Sequence, residues 1–65
     1  MMAFRKNPLK VGERFRVKIE RLTRKGDGFV KISGVAVFVK NVEIGWEGEI
    51  VIEKVGPTYA IAKPI

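Results

Sequence analysis

Residues 29 to 40 constrain this chain more than any other stretch. Phe29-Val30-Lys31-Ile32 and Val35-Ala36-Val37-Phe38-Val39-Lys40 are two valine- and isoleucine-rich runs separated only by Ser33-Gly34. So short a break between alternating runs predicts two strands, 29–33 and 35–40, joined as a hairpin. Period-two alternation then divides the hairpin into faces. Val30, Ile32, Val35, Val37 and Val39 turn inward, which leaves Phe29, Lys31, Phe38 and Lys40 outside. The chain has only six aromatic residues, so two phenylalanines on a solvent face need a reason.

The remaining strands follow from the same pattern. Over 14–22, Phe15, Val17 and Ile19 alternate with Arg14, Arg16, Lys18 and Glu20, giving one apolar face and one largely cationic face. A strand over 49–55 buries Ile50 and Ile52, and a last strand over 59–63 sets Ala60 and Ala62 against Tyr59 and Ile61. Val11-Gly12-Glu13 and Gly56-Pro57-Thr58 read as turns. In the loop 23–27, Gly26 and Gly28 are expected to supply positive backbone angles, and the Asp27 carboxylate to fold onto nearby backbone donors. The stretch 41–49 has no clear period, and its Trp46 is expected either to plug one end of the molecule or to project as another stacking surface. Residues 1–10, which contain Asn7-Pro8 with Arg5, Lys6 and Lys10, read as a loosely packed basic tail ahead of a domain over 11–65. Five short strands, glycine-marked turns and no helix predict an all-β fold: a small five-stranded antiparallel barrel of the oligonucleotide-binding (OB-fold) type, closed so that no sheet edge is left exposed.

Composition narrows the function. The 65 residues include no cysteine and no histidine, which removes disulfides, zinc ligation and the commonest acid–base side chain. Gly-Asp-Gly lacks the further oxygen ligands of a calcium loop, and no glycine run ends in Gly-Lys-Ser or Gly-Lys-Thr, so no cofactor and no metal are expected. The hydroxyls of Thr23, Ser33, Thr58 and Tyr59 have no base beside them in sequence, and so small a barrel has little room for a desolvated pocket; an enzyme with a small-molecule substrate is not expected. No signal sequence or membrane-length apolar run is present, which points to a cytoplasmic protein, and no patterned helix suggests a dimer seam, so a monomer is expected.

The formal charge is +6, and it is uneven: residues 1–25 carry nine basic and two acidic groups, whereas 26–65 carry four basic and five acidic. A polyanion is the natural partner of such a field. Aromatic rings beside lysines on one hairpin fit single-stranded nucleic acid, where bases stack and phosphates are neutralised.

Val11-Gly12-Glu13, Leu22-Thr23-Arg24-Lys25-Gly26-Asp27-Gly28, Val37-Phe38-Val39, Gly48-Glu49 and Tyr59-Ala60-Ile61-Ala62 together resemble the TRAM domain over residues 11–65. The run from Leu22 to Gly28 is the most specific of these matches. The resemblance implies an OB-type barrel that binds RNA, of the kind appended to tRNA and rRNA modification enzymes. It is similar in size to small archaeal TRAM proteins, which implies an RNA chaperone in the manner of cold-shock proteins. Lys25 to Val30 is similar to the first ribonucleoprotein-type motif of cold-shock domains and Val37 to Lys40 to the second, with Asp27 where that pattern has an aromatic and Lys40 where it has histidine.

The expected RNA-contacting set is Phe29, Phe38 and Tyr59 for stacking, with Arg16, Lys18, Arg24, Lys25, Lys31, Lys40 and Lys63 for phosphates. Single-stranded RNA, tRNA or rRNA is the expected partner. Two readings stay open beside it: a chromatin-type barrel on double-stranded DNA, and an RNA-docking accessory of a modification enzyme.

Overall fold

The computed structural model describes residues 7–65. Five strands follow in order: β1 (Arg14–Lys18), β2 (Gly28–Ile32), β3 (Val35–Val39), β4 (Glu47–Val55) and β5 (Tyr59–Pro64). They form one sheet in the order β1-β4-β5-β3-β2, so the fold is all-β. The antiparallel expectation holds for three pairings and fails for one, since β3 and β5 run parallel. The β4–β5 hairpin lays β5 between β4 and β3, and that placement fixes its direction relative to β3.

Closure is partial. The two ends of the strand order, β1 and β2, meet through the chain just after β1 rather than through a ladder. The Phe29 N–H donates to the Arg21 carbonyl at 3.0 Å, and Leu22 bridges Gly28. The first strand is therefore shorter than the expected 14–22, and Ile19 to Leu22 form the corner that brings β2 back.

The hairpin forms as expected, and its register sets Phe29 opposite Phe38, Val30 opposite Val37 and Ile32 opposite Val35. Its turn puts Ser33 at φ 53° and Gly34 at φ 79°, and two successive positive angles match the right-handed twist of the flanking strands. Inward residues from all the strands meet in one core. Ile19, Val37, Val39, Ile50, Ile52, Ala60 and Ala62 are completely or almost completely buried, with Phe15, Val17, Val30, Ile32, Trp46 and Val55 packed around them. Each fully buried valine or isoleucine contributes on the order of 1.5–3 kcal/mol from its apolar area. Ala60 and Ala62 lie on β5, which is flanked on both sides, and their small side chains let the curved sheet close over them.

Three local expectations are corrected. First, residues 7–10 belong to the fold. The Leu9 side chain enters the core, and the Asn7 amide donates to the carbonyls of Gly56 and Tyr59, each at 3.0 Å. Residues 1–6 of the expected tail lie outside the described residues. Second, Gly26 does take a positive φ of 92°, but Gly28 does not. Gly28 is a buried β2 residue, and a Cβ there would sit 2.6 Å from Val42 Cγ2 and 3.0 Å from Ile19 Cδ1. It is glycine because two core side chains press against its backbone. Third, the loop 23–27 is held by Thr23, not by the Asp27 carboxylate. The Asp27 N–H donates to Thr23 Oγ1 at 3.2 Å, the Thr23 N–H to the Asp27 carbonyl at 2.7 Å and the Gly26 N–H to the Thr23 carbonyl at 2.9 Å.

Trp46 packs against the core as a plug, with the Ile19 N–H donating to its carbonyl at 2.8 Å.

Candidate nucleic-acid interface

Alternation on β2, β3 and β5 places one side chain in two on the outer face, and the register decides which of them touch. Phe29 opposes Phe38, and Phe38 opposes Ile61. Tyr59 lies one step along from Ile61 on the same face, opposite Ala36, whose small side chain leaves the tyrosine room beside Phe38. The rings of Phe29 and Phe38 are 5.7 Å apart between centroids and tilted by 51°; those of Phe38 and Tyr59 are 6.5 Å apart and tilted by 54°. Three aromatic rings thus form a continuous, half-buried row across three strands. The ring of Tyr59 lies against Gly56, where any side chain would overlap it.

Two open grooves flank the row. The larger, about 670 Å³, has Phe38, Tyr59 and Ile61 on one side, the 23–27 loop on the other through Thr23, Arg24, Lys25 and Asp27, and Lys40 beside them. The smaller, about 410 Å³, adjoins Phe29 and Val30 and is edged by Lys18, Arg21, Lys31 and Glu20. Apolar rings with cations on both sides can stack planar bases and hold the phosphates between them.

Of the ten expected contact residues, the structure gathers Arg24, Lys25, Phe38, Lys40 and Tyr59 at the larger groove and Lys18, Phe29 and Lys31 at the smaller. Two lie outside both. Arg16 is exposed on β1 opposite Glu49, and Lys63 stands beside Lys40 through a shared acid. That acid is Glu53, the extra residue of a bulge between Ile52 and Lys54 on β4. Bulges re-aim side chains, and this one brings the carboxylate to Lys40 Nζ at 3.0 Å and Lys63 Nζ at 3.6 Å. The hydrogen bond from Lys40 is the main reason the Glu53 carboxyl is held below its usual value of 4.5; the charge of Lys63 adds to it, and partial desolvation opposes it.

The pattern of the sequence missed Glu53, Ile61 and Arg21. Ile61 could have been found by extending the outward alternation from Tyr59. The bulge that re-aims Glu53 leaves no local signal.

Among the described residues, no group of three or more acidic, cysteine or histidine side chains could hold a metal ion, and no helix is long and apolar enough to cross a membrane.

A family model described as the TRAM domain matches residues 8–65. The chain belongs to the TRAM domain family. TRAM domains are RNA-binding modules, and residues 8–65 are matched as one. The TRAM chain is 49% identical over 55 residues to a ribosomal RNA large subunit methyltransferase E of Methanosarcina mazei, a match that takes in 85% of this chain and 20% of the methyltransferase. It therefore spans about one fifth of the length of the methyltransferases it matches. It is also 36% identical over 58 residues to an uncharacterized protein of Methanocaldococcus jannaschii, MJ0660, covering 75% of that protein. The solution structure of a conserved Methanococcus maripaludis protein, from gene locus MMP0076, has the same fold, with a TM-score of 0.79, 33% identity and coverage of 98% of this chain and 99% of that one.

Proposed function

We propose that this TRAM domain binds single-stranded or unfolded RNA with little sequence demand, and acts as an RNA chaperone. The reading rests on the aromatic row of Phe29, Phe38 and Tyr59 with a basic groove on either side. Bases splayed from a single strand can lie on such a row, whereas duplex bases are stacked on one another and out of its reach. Phosphates are held by Arg24, Lys25 and Lys40 on one side and by Lys18 and Lys31 on the other, with Arg16 and Lys63 adding to the surrounding field. The domain works as a monomer in the cytoplasm.

A second reading keeps the same surface and changes its use: the domain docks tRNA or rRNA for a modification enzyme. The 49% identity to a segment of a ribosomal RNA methyltransferase favours it. A wedge into double-stranded DNA would be Trp46 or Phe38; the partial burial of Trp46 against the core and the place of Phe38 between Phe29 and Tyr59 favour the single-strand reading over it.

Competition at moderate salt among an unstructured RNA, a folded tRNA and a duplex DNA of equal length separates these uses. Preference for the unstructured RNA supports the chaperone, preference for the tRNA supports docking, and preference for the duplex overturns the proposal.

A further inference from the structure

The larger groove is built to hold polyanions, yet one of its lining residues is an acid. Asp27 is the only carboxylate among the side chains that line it, and it is half-buried there beside Arg24 and Lys25 and across from Phe38 and Tyr59. It does not shape the loop: Thr23 and the backbone do that, and among the described residues the Asp27 carboxylate takes part in no hydrogen bond or ion pair. A negative charge in this place weakens phosphate binding unless it accepts hydrogen bonds from the ligand itself. A carboxylate only accepts, so the part of an RNA it can recognise is a base edge carrying donors.

We infer that the larger groove is a base-selective subsite in which one base lies against Phe38 and Tyr59 and Asp27 reads its Watson–Crick edge, with guanine the preferred base. This deepens the RNA-binding reading and rests on it. Guanine presents N1–H and one N2–H side by side, matching the two oxygens of a carboxylate as a fork. Adenine and cytosine each present one amino donor beside a ring nitrogen that repels the second oxygen. Uracil presents one N–H between two carbonyls and is the poorest match. The Thr23 hydroxyl, at the same groove, supplies a donor for the guanine O6, while Arg24 and Lys25 stay with the phosphates.

The test uses the full chain and three RNA hexamers: all-uridine, the same with one central guanosine, and the same with inosine there, which keeps N1–H and lacks the 2-amino group. Wild type should bind the guanosine hexamer on the order of tenfold more tightly than the all-uridine one, with inosine between them. Asp27→Asn should fold normally, keep or gain affinity for all-uridine RNA and lose most of the guanosine preference. Equal binding of all three hexamers by wild type overturns the inference while leaving RNA binding intact. A uniform rise for all three in Asp27→Asn also overturns it, because that is the signature of a charge acting on phosphates alone. Failure of wild type to bind any single strand overturns the RNA reading itself, and this inference with it.

Discussion

Phe29 and Phe38 stand directly opposite one another across the β2–β3 ladder, their rings 5.7 Å apart on the face turned away from the core. The contact is part of the hairpin's stability and part of a surface that extends to Tyr59.

Replacing Phe38 with alanine separates these two roles. Stacking of one base on an aromatic ring is worth about 1–3 kcal/mol, and the tilted ring pair about 0.5–1.5 kcal/mol. The variant should lose the first amount in binding single-stranded RNA; because two ring pairs and half-buried apolar area go with the side chain, its unfolding free energy should fall by about 1–3 kcal/mol, with a cooperative transition. Isothermal binding and denaturant titration of the same preparation check both.

Gly28→Ala should act on the core and not on the interface. The added methyl meets Val42 and Ile19, which are themselves buried, so neither can move without disturbing others. Overpacking of this kind costs about 1–3 kcal/mol, seen as a lower denaturant midpoint at unchanged slope.

Glu53 gives a pH signature. Its carboxyl is held below 4.5 in the folded chain, so its pairing with Lys40 and Lys63 stabilises the fold above the unfolded value and is lost as pH falls through the lower folded value. A carboxyl-detected titration should place its midpoint below 4.5, and Lys40→Ala should move it upward. Glu53→Gln frees Lys40 at the larger groove and Lys63 beside it, and affinity for RNA should rise by roughly two- to fivefold at low salt.

Salt dependence counts the phosphates. If about five lysines and arginines each neutralise one, log affinity should fall with log salt at a slope of about −3.5 for single strands. The Arg24→Ala, Lys25→Ala double variant should reduce that slope by roughly 1.4 and weaken all sequences alike.

The hairpin faces were legible because both strands keep a strict period of two and the turn between them is too short to allow a slip. What escaped the sequence was nonlocal. Asn7 and Leu9 looked like tail because the carbonyls that Asn7 meets, those of Gly56 and Tyr59, lie about fifty residues away in the chain, and the core that Leu9 enters is gathered from every strand region. Gly28 looked like one more turn glycine because the crowding that requires it comes from Ile19 and Val42. The parallel β3–β5 pair follows from where the β4–β5 hairpin lands, which no local pattern encodes. At the candidate interface, the Phe29–Phe38 pair was readable from alternation, whereas Tyr59 joins it only through the parallel β3–β5 pairing and the Glu53 bridge depends on a bulge.

Whether RNA lies along Phe29, Phe38 and Tyr59 is read from amide and side-chain shifts in an NMR titration with an unstructured RNA. The largest changes should fall on Arg24, Lys25, Asp27, Phe29, Phe38, Lys40 and Tyr59, with the Trp46 indole N–H little moved. Changes centred on Trp46 and Ile44, with the aromatic row unperturbed, would contradict that placement.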